Sequence, residues 1–441
     1  MVPFMSMPDD SNGGACTAQA PLAQGLPPVP EEGPGFGIYV HWPFCLSKCP
    51  YCDFNSHVTD AVDTDAWRRA FLRALDWFAA RTRTMRVTSV FFGGGTPSLM
   101  PPALVEVVVD GIAARWPLAE AVEITLEANP TSAEQQNFAA FATAGVNRLS
   151  LGVQALDDAA LQALGRQHTA DDARRAWALA TEIFPHASFD LIYARPGQSM
   201  ASWEAELAQA LRMQPEHLSA YQLTMEPETP FYRLHQRGRL QLPDDDAAMT
   251  MFRLTRQMLA DAGLAAYEVS NHARPGAECR HNLLYWRYGP YAGIGPGAHA
   301  RLPLAGHDAD VPDARRLALT TLRQPRAWLQ AVLDDNGGNP AGLQEMEALS
   351  AEAVATEYLL MSLRTREGAH LHRLHALSGM QPAADVIDLL ERQGLLLVKR
   401  AADGTALGLR TSDDGLMVLE ALLVELTAAL QPGAPAPEMA G

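Results

Sequence analysis

Short runs rich in β-branched and aromatic residues alternate along the chain with longer stretches whose apolar positions recur every three to four residues. The runs are Gly37–Trp42, Val87–Phe92, Val122–Glu127, Arg148–Gln154, Ser188–Tyr193 and His217–Thr224, with a weaker one at Ala266–Val269. Between them, Trp67–Ala80 sets Trp67, Ala70, Phe71, Ala74, Leu75 and Phe78 on one helical face, and Ala103–Trp116 and Met249–Ala262 repeat the pattern. Strands alternating with helix-length stretches predict βα units. Parallel neighbours need a crossover connection, and that crossover is right-handed. Six or seven such units over residues 36–302 fit an α/β fold, a partial (β/α) barrel, better than a two-halved nucleotide fold. Functional side chains are then expected just past the strand C-termini.

The pattern changes at both ends. Residues 1–35 hold seven Pro and five Gly with almost no apolar periodicity and read as a disordered leader. The Pro/Gly/Asp-rich stretch 303–340 reads as a linker. Residues 341–432 show helical patterns at Ala351–Ser362, His370–Leu377 and Ala383–Gln393, two strand-like runs at Leu395–Arg400 and Leu407–Arg410, and a last helix at Ser412–Leu430. Three helices followed by a hairpin outline a small α+β, winged-helix-like C-terminal domain.

Charge weighs against the nucleic-acid role such a domain suggests. The chain of 441 residues carries 51 Asp+Glu against 34 Lys+Arg, a formal charge of −17. Residues 341–441 hold 14 acidic and seven basic side chains, whereas nucleic-acid binding rests on Lys and Arg neutralising phosphates. A lid or docking role suits the domain better. The N-terminus has no basic residue before its first apolar stretch, and the apolar segment Leu416–Leu430 is short and carries Glu420 and Glu425. Neither reads as a secretory signal or a membrane span, and a cytoplasmic protein is expected.

Five cysteines are too few for a disulfide scaffold, and three of them, Cys45, Cys49 and Cys52, fall within eight positions. They follow the first strand on a loop kept irregular by Pro43 and Pro50. Such a triad can bind three irons of a cubane cluster and leave the fourth open to a ligand. A structural zinc site completed by His41 or His57 satisfies the same ligand chemistry. Later strand ends add candidates: Gly93-Gly94-Gly95-Thr96-Pro97 permits close backbone approach, while Glu127 and Gln154 close the third and fourth strands.

Taken together, the CxxxCxxC loop, GGGTP, the strand-end Glu and the strand-end Gln resemble the radical S-adenosylmethionine superfamily. More narrowly, residues 36–430 resemble its oxygen-independent coproporphyrinogen oxidase-like branch, and within that the haem chaperones. The resemblance implies a [4Fe–4S] cluster on Cys45, Cys49 and Cys52. It further implies S-adenosylmethionine held by Tyr39, Tyr51, Gly94, Gly95, Thr96, Glu127, Gln154, Arg166 and Asp190. His281-Asn282-Leu-Leu-Tyr285-Trp286 is similar to a segment associated with haem, His281 offering an imidazole and Tyr285 and Trp286 flat apolar faces.

Oxidases of this branch resemble the pattern CxxxCxxCxC, whereas this chain has Phe54 at the last position. They also need a structured N-terminal segment. Both departures favour haem transfer, with coproporphyrinogen III oxidation as the alternative. The implied partners are haem as cargo and a membrane or respiratory acceptor, with the chain a monomer or a cluster-dependent dimer. Arg195, where the family usually has an apolar residue, is expected to face solvent or a propionate.

Overall fold

The computed structural model describes residues 34–59, 61–304, 316–336 and 338–433. The expected leader lies outside the described residues except for Pro34 and Gly35. Six strands, β1 (Phe36–Trp42), β2 (Val87–Gly94), β3 (Leu118–Ala128), β4 (Arg148–Gln154), β5 (His186–Tyr193) and β6 (His217–Gln222), pair in parallel, each with the next. Two short strands, β7 (Ala265–Ala266) and β8 (Asn271–Ala273), follow antiparallel beyond β6. On the other side β9 (Tyr291–Ile294) pairs parallel with β1. Then β10 (His299–Pro303), β11 (Arg316–Thr321) and β12 (Leu343–Leu349) extend the sheet antiparallel. The order is β12-β11-β10-β9-β1-β2-β3-β4-β5-β6-β8-β7, and its two ends do not pair, so the barrel is partial.

The helices outside the sheet follow the predicted faces. In α1 (Thr64–Thr82) the buried side chains include all six of the apolar repeat, and Asp63 caps its first turn by accepting from the Ala66 amide. Its companions are α2 (Pro102–Ala113), α3 (Ala170–Ile183), α4 (Met200–Arg212) and α5 (Asp245–Asp261). A short helix, α6 (Arg280–Trp286), lies under the barrel rather than outside it.

Between 303 and 340 the described part is structured, not a bare linker. Besides β11 it contains α7 (Pro325–Leu333), whose Trp328 stacks on Trp67 of α1 at 5.5 Å between ring centroids. The Pro- and Asp-rich residues around these elements masked them in the sequence. The weak run at Ala266–Val269 contributes only β7.

The C-terminal unit has the expected three helices, α8 (Ala351–Ser362), α9 (Leu371–Ser378) and α10 (Ala384–Arg392), then a hairpin of Leu396–Arg400 with Ala406–Thr411. The last helix is broken: Asp413–Met417 is followed by α11 (Leu419–Ala428), with Val418 out of helical geometry between them. The unit has its own core and docks on the barrel through Tyr288, whose hydroxyl donates to Glu357 at 2.7 Å while Arg301 also binds Glu357 at 2.8 Å.

Candidate functional site

A cavity of about 430 Å³ opens at the C-terminal ends of the barrel strands. Its lining brings together Cys45, Cys49, Cys52, Tyr51, Gly94, Gly95, Thr96, Glu127, Gln154, Arg166 and Asp190, residues spread over nearly 150 positions of sequence. Of the expected S-adenosylmethionine contacts, only Tyr39 is not part of that lining. It sits below the cavity in the lumen, its hydroxyl 3.0 Å from Nδ1 of His41 and its ring stacked on Phe91.

The cysteine loop leaves β1 and is held on all sides. Phe44 and Cys45 pair with His57 and Val58, which closes the loop's base. The Asn55 amide donates to the carbonyls of Pro296 at 3.0 Å and Arg323 at 2.8 Å, and the Asn55 carbonyl meets Nε2 of His41 at 3.0 Å. The Pro50 carbonyl accepts from the Phe231 amide at 3.0 Å. These anchors hold the loop without help from the thiols. Asn55 was not singled out from the sequence; its polar side chain just after an apolar, cysteine-rich run was the available signal.

The glycines fit against that loop. Gly95 donates its amide to the Trp42 carbonyl, and a Cβ there would sit 2.7 Å from the Phe44 oxygen and 3.0 Å from Cys45 Sγ. Gly94, at φ +118, is in a region that side chains avoid. The GGG turn therefore packs the loop as well as bordering the cavity.

Two carboxylates look into the cavity, and among the described residues neither forms a salt bridge. Glu127 accepts only the Gly94 amide, at 3.3 Å; burial, then the neighbouring Asp190, push its pKa up to about 8. Burial likewise lifts Asp190 to about 6, opposed by Ser219 and Arg166. Gln154 has φ +69, a strained setting for a residue with a side chain, and its Oε1 has no partner; the Arg166 Nε is also unpartnered. Burial raises the pKa of Cys45 and of Cys52, opposed at Cys45 by the Thr96 hydroxyl. Buried unpaired acceptors, carboxylates and thiols together make a receptacle for cationic ligands and metal.

The zinc alternative is poorly served. Both ring nitrogens of His41 are engaged, His57 bonds Asn55 at 3.2 Å, and neither lines the cavity. Among the described residues no three His, Cys, Asp or Glu side chains converge on one ion position. A cubane asks something different, thiolates spread over three irons.

The His281 segment lies at the opposite end of the barrel. His281 is buried with Nδ1 2.9 Å from Ser89 Oγ and Nε2 2.9 Å from Tyr285 Oη, and burial lowers its pKa to about 3. Asn282 donates to the Tyr267 hydroxyl at 3.3 Å, and Trp286 borders a crevice against the C-terminal unit with Tyr358 and Arg373. None of the four reaches the cavity. Arg195 faces neither solvent nor the cavity: it pairs with buried Glu206, whose other oxygen accepts the Leu156 amide at 2.7 Å. Cys279, close to the His281 segment in sequence, is buried and bonds Glu123 at 3.4 Å. Cys16 lies outside the described residues.

Comparison with known proteins bears on the family and the fold. Residues 39–210 match the family model of the radical SAM superfamily. The chain is 39% identical to radical S-adenosyl methionine domain-containing protein 1, mitochondrial, of Bos taurus, over 97% of each. It is 42% identical to the heme chaperone HemW of Escherichia coli, over 67% of this chain and 76% of that protein. The solved coproporphyrinogen III oxidase HemN of Escherichia coli superposes with a TM-score of 0.70 over 90% of this chain and 91% of that one; at 20% identity the likeness carries the fold alone. With fold and sequence relatives in agreement, the chain belongs to the radical S-adenosylmethionine superfamily and is close to HemW within it.

Proposed function

We propose that this protein is a haem chaperone that holds a [4Fe–4S] cluster and S-adenosylmethionine at the barrel mouth, binds haem and passes it to an acceptor protein. The observation that carries the reading is the pairing of a cysteine-lined cavity at the barrel mouth with relatives named heme chaperone that match 67% and 86% of this chain. Phe54 supports transfer over oxidation, because it stands where the oxidases of the branch are expected to carry a further cysteine, and its phenyl ring, 59% exposed at the cavity rim, offers no thiol.

The residues fit the implied groups. Cys45, Cys49 and Cys52 would ligate the cluster, which when bound supplies the electron for reductive cleavage of S-adenosylmethionine. Glu127 and Asp190 offer negative charge to the ammonium, ribose hydroxyls and sulfonium of that cofactor. The free Oε1 of Gln154 accepts a further donor, and Arg166 suits a carboxylate. Because burial keeps the Cys45 and Cys52 thiols protonated, loading the cluster releases protons.

Haem binding through His281, Asn282, Tyr285 and Trp286 remains part of the proposal, with a condition from the geometry. An imidazole with both nitrogens bonded must give up one partner to ligate iron, so haem entry at this end needs α6 to shift. Trp286, already bordering a crevice, would be its first contact. The test is anaerobic reconstitution with iron and sulfide analysis, followed by haem titration monitored by difference absorbance. Four irons and four sulfides per chain and a saturable haem spectrum are expected; one zinc and no sulfide would overturn the reading. His281→Ala in the same titration tests the ligand, since an unchanged haem spectrum removes His281 from the site.

A further inference from the structure

We propose that Asn129 is a positioning residue that orients the hydrogen bonds on two of the three cluster thiolates and thereby raises the reduction potential of the cluster. The inference rests on the cluster reading above and concerns side chains that touch the ligands without being ligands.

The geometry is a bridge built around one side-chain amide. The Thr96 hydroxyl donates to Cys45 Sγ at 3.4 Å, and the Asn129 Nδ2 donates to that hydroxyl at 3.3 Å. On the other side Arg166 donates through Nη1 to Cys49 Sγ at 3.5 Å and through Nη2 to Asn129 Oδ1. Donor and acceptor inventories fix the direction of every link. A guanidinium has only donors, so it must meet the amide oxygen, which leaves the amide nitrogen facing Thr96. The threonine oxygen then accepts from Asn129, and its single proton is left for the sulfur. Turning the amide over would put two donors against Arg166 and free the Thr96 proton to point back at Asn129.

Asn129 is itself held in place. Its backbone amide donates to Glu134 Oε2 at 2.7 Å, and Glu134 is buried against Ser98 and Thr131. Pro130 follows, which restricts the Asn129 backbone to extended conformations. Arg166 has a second anchor in the Gly152 carbonyl at 2.8 Å. The sequence offered a faint signal in Glu127-Ala-Asn129-Pro130 followed by Thr131 and Glu134 at capping-box spacing. Hydrogen bonds to cluster sulfurs stabilise the reduced, more negative state and raise the potential; outer residues that orient such donors tune it in turn.

The test uses the full chain, reconstituted anaerobically, with the cluster midpoint potential read by EPR-monitored redox titration without S-adenosylmethionine. Asn129→Ala should move the midpoint to more negative potential, because both donors lose their common anchor. Thr96→Val removes the hydroxyl at nearly constant shape and should give a smaller shift of the same sign, with Thr96→Ser returning the wild-type value. In the Asn129→Ala background Thr96→Val should add less than it does alone. If Asn129→Ala fails to hold a cluster, Asn129→Asp keeps the acceptor for Arg166 but replaces the donor facing Thr96, and the same negative shift is expected. Wild-type potential in Asn129→Asp and Thr96→Val, with clusters intact, would overturn this inference alone. A wild-type chain that takes up no cluster would overturn the cluster reading and this inference with it.

Discussion

The two ends of the barrel are built on opposite rules. At the mouth, Glu127, the Gln154 Oε1 and the Arg166 Nε face a cavity with partners missing, and two carboxylate pKa values are raised. At the base, the cluster around Glu123 is locked: Glu123 pairs with Arg148 at 3.3 Å and accepts from Cys279 and the His281 amide, while Arg148 also reaches the Ala277 carbonyl at 2.9 Å. His281 spans Ser89 and Tyr285 and stacks on Phe91. The difference teaches how to tell a binding site from a plug when both are rich in His, Cys and acid residues. What matters is whether the polar groups have already found each other.

Mutations should separate the ends. Cys45→Ser has the largest expected effect at the mouth: loss of the cluster and its brown absorbance with the thermal midpoint of the metal-free protein little changed, because Asn55, Phe231 and the loop base hold that segment. At the base, Glu123→Ala should cost about 3–5 kcal/mol in urea denaturation by stranding buried Arg148. His281→Ala should cost about 2–4 kcal/mol, combining a cavity with two orphaned hydroxyl partners.

Ligand binding at the mouth should depend on pH through Glu127. Its folded pKa of about 8 lies above the ordinary 4.5, so ionisation in the free protein destabilises the fold increasingly from pH 4.5 to 8. A cationic ligand favours the ionised form. The affinity of the reconstituted protein for S-adenosylmethionine should therefore rise with pH, at most about tenfold per unit, and level off near pH 8. Calorimetry at several pH values checks this, and Glu127→Gln should flatten the profile. Phe54→Cys should have the smallest effect, within about 0.5 kcal/mol in stability, because its side chain is exposed. It should also gain no oxidase activity.

The sequence made the parallel core legible because each βα unit alternates two periods, and the mouth was legible because strand ends concentrate function. It was less informative where chemistry depends on which end of the barrel a loop reaches. His281 and Tyr39 have plausible residue types, yet their roles are set by contacts with Ser89, Tyr285 and His41 that no local spacing encodes. Arg195 was ambiguous until Glu206, eleven residues on, supplied its counter-charge. The sheet extension at β11 and β12 was hidden by flanking prolines and acids.

The most direct test sets haem against coproporphyrinogen III on one anaerobically reconstituted preparation, supplied with S-adenosylmethionine and reductant. Retention of haem, release of it to an apo-haemoprotein and no consumption of coproporphyrinogen III are the predicted results. Conversion of coproporphyrinogen III to protoporphyrinogen IX, without haem retention, would contradict the account.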